Sequence, residues 1–129
     1  MAPTSRFVAT VIALVAMCGT PDAAMAERLP LTAAFGNKDG CVYALTGESS
    51  GSDDFFLLTA DAVTTATSYC EIGKILKTEG QNFQVEMTCE SEGETGEPAR
   101  AEITRSELGY SIAFNDYQPV TWGPLPECK

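Results

Sequence analysis

Five cysteines, at positions 18, 41, 70, 89 and 128, are the most reactive side chains of this chain, and it contains no histidine. Without imidazole, the Ser-His-Asp and Cys-His arrangements cannot be built, and the usual base near neutral pH is missing. No two cysteines have C-x-x-C spacing, so a zinc site is not indicated. The remaining chemistry lies in carboxylates: Asp53-Asp54, and the run Glu90, Glu92, Glu94 and Glu97. A glycosidase needs two carboxylates at a set separation across a cleft. A loop Ca²⁺ site wants the D-x-[DN]-x-[DN]-G frame, which this run lacks. The acids are therefore expected to solvate turns, with no catalytic residue, metal or cofactor. The loop Gly47 to Asp54 is the better candidate. Its Ser49, Ser50, Ser52, Asp53 and Asp54 are small and polar, and such loops on a rigid sheet often carry binding.

The N-terminus says where this chemistry works. Arg6, then the apolar run Phe7 to Met17, then Ala24-Met25-Ala26 form the charged, apolar and small-x-small parts of a secretory signal peptide. The run is too short to span a bilayer, which takes about 20 residues. Cleavage is expected after Ala26, which removes Cys18. A lipid anchor on Cys18 is the alternative, but Met17 before it is not small. The expected organisation is a removed signal at 1–26, a lead-in at 27–40 and one β-domain at 41–129. The expected location is secreted or periplasmic, with no membrane insertion after cleavage.

Removing 26 of 129 residues leaves 103, one domain by size. The signal carries one Arg and one Asp, so the formal charge stays at −10. That balance argues against nucleic acid and anionic membrane surfaces. It suits a basic protein partner drawn in by charge, and it also keeps a secreted protein soluble.

Most of the mature chain reads as short strands between turn signals. Asn37-Lys38-Asp39-Gly40 reads as a turn, and Cys41 to Thr46 as the first strand. Phe55 to Thr59 is a continuous apolar run. Ala62 to Leu76 is rich in Thr, Val, Tyr and Ile, which disfavours helix. Phe83, Val85, Met87 and Cys89 alternate with Gln84, Glu86 and Thr88, a half-buried strand. Glu90 to Glu97 reads as an acidic loop. Pro98 to Leu108 fits strand or helix, and its neighbours favour strand. Leu108, Tyr110, Ile112 and Phe114 alternate again, and Asn115-Asp116 turns the chain. Val120 to Trp122 is a last strand, with Gly123-Pro124-Leu125-Pro126 unfit for a central one. Trp122 reads as core; Tyr117 lies nearby. The fold class is all-β: a small antiparallel meander closing into a barrel or sandwich of 6–8 strands, with two disulfides.

The even count of Cys41, Cys70, Cys89 and Cys128 in an exported domain reads as two disulfides. A hairpin turn at Glu79-Gly80 sets a register. Thr78 then faces Gln81, Leu76 faces Phe83, Ile72 faces Met87 and Cys70 faces Cys89. Only Lys74 opposite Val85 breaks the apolar pairing. Opposed Cα atoms lie about 4.5–5.5 Å apart, within disulfide reach. This favours Cys70–Cys89 with Cys41–Cys128. The sequential pairing, Cys41–Cys70 with Cys89–Cys128, remains the alternative.

Cys70-Glu71-Ile72, Met87-Thr88-Cys89-Glu90-Ser91-Glu92-Gly93-Glu94 and the cysteine near the C-terminus resemble uncharacterised small exported four-cysteine β-domain proteins of alphaproteobacteria. Their pattern is a C-x-F strand and a C-x-x-E-G-E turn, with Ile72 here in place of the commoner Phe. The resemblance implies a small β fold and a periplasmic address, and brings no functional residue. The serine loop also faintly resembles the Ser-Gly loop of periplasmic lysozyme inhibitors. Asp53-Asp54 stand where those carry basic and aromatic residues. The expected role is a non-enzymatic binding or inhibitor module for a basic protein such as lysozyme. The alternative is a structural or envelope-interaction protein without a small-molecule site, and a carboxylate hydrolase is the least favoured.

Overall fold

A computed structural model describes residues 26–115 and 120–129. The signal segment up to residue 25, Asp116 of the expected turn and Tyr117 lie outside the described residues. The chain runs β1 (Phe35–Gly36), α1 (Lys38–Thr46), β2 (Phe56–Leu58), β3 (Ala62–Thr65), β4 (Ser68–Glu79), β5 (Asn82–Ser91), β6 (Glu94–Thr95), β7 (Ala99–Ser106), β8 (Gly109–Phe114) and β9 (Val120–Leu125). All strand pairs are antiparallel. They make a nine-stranded meander in the order β1-β2-β3-β4-β5-β7-β8-β9, with β6 on β5. Without the two-residue β1 and β6, seven strands remain among the described residues.

The sheet curls until its ends meet. Phe35 bridges Glu127. Gly36 N–H donates to the Pro126 carbonyl at 2.9 Å, and Cys128 N–H to the Ala34 carbonyl at 2.8 Å. Cys41–Cys128 clamps this seam, and Cys70–Cys89 crosses β4 and β5. The sequential pairing is thereby excluded. Two disulfides fit the domain for an oxidising, extracytoplasmic environment. No helix among the described residues is long and apolar enough to cross a membrane. Inward side chains fill the barrel: Leu58, Val63, Ile72, Val85, Met87, Ile103 and Ile112 are fully buried. Trp122 is half-buried against Phe114 and Phe56, with ring centroids 4.9 and 5.8 Å away.

Cys41 to Thr46 is helix, not strand. The residues read as a turn are a helix start. The Asn37 side-chain oxygen caps the Gly40 N–H at 2.9 Å, Asp39 sits in the first turn, and Gly47 ends the helix in the left-handed region. So short an apolar run does not separate period 2 from 3.6, and the caps decide it. The segment 27–40, read as a lead-in, also supplies β1 and the first helical turn.

The predicted β4–β5 register holds at Cys70–Cys89 and Ile72–Met87 but not near the turn. The two-residue loop is Gly80-Gln81, which pairs Glu79 with Asn82 and Thr78 with Phe83. Glycine is then first in the loop, where positive φ is wanted, and Gly80 has φ 58°. Two register shifts, between Ile72 and Lys74 and between Ile75 and Lys77, restore the cysteine pairing. They also remove the mismatch, placing Ile75 opposite Val85 and Lys74 opposite Glu86. Glu27 braces the first shift: its N–H donates to the Gly73 carbonyl at 3.0 Å, and its carboxylate accepts from the Ile75 N–H.

Other boundaries move less. Thr65 Oγ1 accepts from the Thr67 and Ser68 N–H groups and splits the 62–76 stretch into β3 and β4. The acidic loop is a hairpin between β5 and β6, with Glu92 and Gly93 both at positive φ. The 98–108 segment is strand, and β9 extends through Pro124 to Leu125 on the sheet's edge, beyond a register shift against β8.

Asn37 joins helix to sheet. Its side-chain oxygen also accepts from the Phe56 N–H at 3.1 Å, its amide donates to the Asp54 carbonyl at 2.8 Å, and its own N–H donates to the Phe56 carbonyl at 3.1 Å. Asn37→Ala removes a cap and leaves a part-buried N–H unpaired, a loss of about 1–3 kcal/mol. Urea unfolding should show that loss, with a smaller one for Asn37→Asp, which keeps the acceptor. A change below about 0.5 kcal/mol for the alanine variant would contradict the role given to Asn37.

Candidate functional site

The excursion between β1 and β2 covers part of the barrel's outer face. Phe55 and Leu57 are buried at 6% and 4% exposure, yet neither belongs to the barrel core. They lie on the opposite side of the strand from Leu58. The Phe55 ring meets Tyr43 of α1 in an edge arrangement at 5.8 Å. A β-carbon on Gly40 would overlap the Phe56 carbonyl oxygen, so glycine there lets the helix lie this close to β2.

Beside this contact is a cleft of about 540 Å³, larger than the cavities of about 340 and 300 Å³ elsewhere on the surface. Its floor is Phe55, Leu57 and Ala62, all buried. Tyr43 and Tyr69 line it while remaining 43% and 45% exposed. Polar groups come from Ser49, Ser52, Asp53 and Asp61, and from the threonines at 59, 64 and 65. An apolar floor with a few polar groups is the usual make-up of a binding cleft.

The candidate loop is therefore divided. Ser49, Ser52 and Asp53 line the cleft. The Ser50 hydroxyl instead donates to Asp39 Oδ1 at 3.0 Å, tying the loop to the helix. Asp54 serves through its carbonyl, which holds Asn37. The serines also shape the loop. Ser49, Ser50 and Ser52 hydroxyl oxygens accept from the N–H groups of Gly51, Ser52 and Asp54 at 3.1–3.3 Å.

Tyr43, Tyr69, Asp61 and the apolar floor join the site only in the folded structure. One signal was available: Phe55 to Leu58 is apolar at every position, which requires cover on both faces of the strand. The other acids do not assemble. Glu90 Oε1 accepts from Thr95 Oγ1 within the β5–β6 hairpin, and no group of three or more potential metal ligands converges among the described residues. All four cysteines of the domain are in disulfides.

The field at the cleft is negative. Tyr69 shares the outer face of β4 with Glu71. Partial burial, and then the charges of Glu71, Asp61 and Glu90, push the Tyr69 phenol above its ordinary value. Burial also raises Tyr110 at the barrel mouth, but there Arg105 opposes the rise. A cation meets the cleft wall: Arg28 Nε lies 2.7 Å from Asp61 Oδ1.

No protein family, curated protein or solved structure matches the chain.

Both phenols have folded-state pKa values above the unfolded one, so the folded state holds these protons more tightly. Their contribution to stability is complete below the ordinary phenol pKa near 10 and is lost as pH rises through the folded values. A spectrophotometric titration should show Tyr69 ionising above 10, and Glu71→Gln should lower its midpoint without moving that of Tyr110. An unchanged Tyr69 midpoint would contradict the acidic field described.

Proposed function

We propose that this chain is an exported, non-enzymatic binding module for a basic protein, with lysozyme as the first candidate. The observation that carries the proposal is the cleft of about 540 Å³ beneath the serine-aspartate loop, lined by Asp53 and Asp61. The overall charge of −10 supports it, because an acidic surface raises the rate at which a basic partner arrives. Absent histidine and oxidised cysteines support a binder over a hydrolase, since they leave no thiolate nucleophile and no imidazole base.

The address belongs to the same proposal. The signal segment at 1–26 would deliver the chain to the periplasm, where its disulfides are stable. The resemblance to small exported four-cysteine proteins of alphaproteobacteria agrees with that location.

The test is binding and inhibition of lysozyme at about 0.01 M and about 0.15 M salt, between which the Debye length falls from about 30 to about 8 Å. The proposal expects binding at low salt that weakens at high salt, and further weakening in Asp53→Asn. Absence of binding at low salt overturns it, because attraction is strongest there. Binding indifferent to salt overturns the electrostatic part.

A further inference from the structure

We propose that the cleft seats one arginine side chain of the partner, its guanidinium against the phenols of Tyr43 and Tyr69 and within reach of the carboxylates of Asp53 and Asp61. This rests on the reading of the chain as a binder of basic proteins and names the group that the site receives.

The cleft lining combines three features that suit a guanidinium. Tyr43 and Tyr69 offer exposed aromatic surface above an apolar floor. A cation over an aromatic face is attracted by the ring quadrupole. The floor of Phe55, Leu57 and Ala62 suits the methylene stem of the same side chain. Asp53 and Asp61 then supply planar, two-oxygen acceptors that match the guanidinium fork. Arginine is favoured over lysine because its planar group stacks on rings and gives up water more readily than an ammonium.

The chain's own arginines make both halves of this contact. At the barrel mouth, Arg105 lies against the rings of Phe35 and Tyr110, its guanidinium carbon 4.8 and 5.1 Å from their centroids. At the cleft wall, Arg28 pairs with Asp61 at 2.7 Å. Both partners of that pair are exposed, and such pairs are weak enough to exchange. Arg28 therefore occupies an acceptor that an incoming arginine would use, and it competes with the partner.

The experiment is a resonance titration of the labelled domain with the blocked peptide acetyl-Gly-Arg-Gly-amide. The same peptide with citrulline, which keeps the shape and loses the charge, is the control. Expected are shifts at the amides of Tyr43, Ala62 and Tyr69, with the citrulline peptide at least about tenfold weaker. Tyr43→Leu and Tyr69→Leu keep apolar bulk and remove the phenol; each should weaken the arginine peptide by about two- to fivefold. Arg28→Ala, which trims an exposed side chain, should tighten it by up to about fivefold. Equal binding of the two peptides overturns the proposal, and so does indifference to both leucine variants. The two readings also fail separately. Lysozyme bound equally well by the wild-type chain and the leucine variants overturns the arginine seat alone. A peptide seated as expected, with no basic protein bound at low salt, overturns the partner reading alone.

Discussion

Everything distinctive about the outer face depends on the chain leaving the sheet after β1 and returning to it beside the same point at β2. Asn37 makes that return. One side chain and its backbone N–H join the helix start, Phe56 and Asp54. These hydrogen bonds are individually modest, about 1 kcal/mol each. Their importance is geometric, because they converge where the excursion begins and ends. Without them, the stretch from Lys38 to Asp53 would be held to β2 by little more than the packing of α1 against Phe55 and Phe56. Cys41–Cys128 adds a covalent limit, tying the first turn of the helix to the seam where the barrel closes.

This arrangement gives the domain two apolar layers of unequal size. The inner one is the barrel core, made by alternation along β3, β4, β5, β7 and β8. The outer one is small: Phe55 and Leu57, with Tyr43 and Ala62 at its edge. A helix with Val42 and Leu45 exposed does not cover it completely. The gap left between helix, loop and β3 is the cleft. The fold positions the cleft by stopping short of burying its own outer face.

Much of this was legible in the residues. The strands of the second half followed from period-two alternation, which is reliable where one face is buried and the other wet. Cys70 opposite Cys89 followed from a hairpin near Gly80. The details of that hairpin did not, because two shifts inside β4 cancel a displaced turn. Such shifts leave weak traces in composition; Gly73 is the only hint at the first of them. Helix α1 was missed although Asn37, Asp39 and Gly47 are ordinary capping signals. They are also ordinary turn residues, and a nine-residue helix has too few positions to establish its own period. The loop Ser49 to Asp54 was found from its chemistry. Tyr43 and Tyr69 were not, because they are 26 positions apart and meet at one cleft only through the excursion and the β3–β4 turn.

The proposed basic partner would be received at this cleft and not at another part of the barrel. Amide chemical-shift mapping of the labelled domain with lysozyme at low salt tests it most directly. Shifts concentrated at Tyr43, Ser49 to Asp53, Ala62 and Tyr69 are expected. Shifts centred on the barrel mouth around Arg105, or none at all, would contradict it.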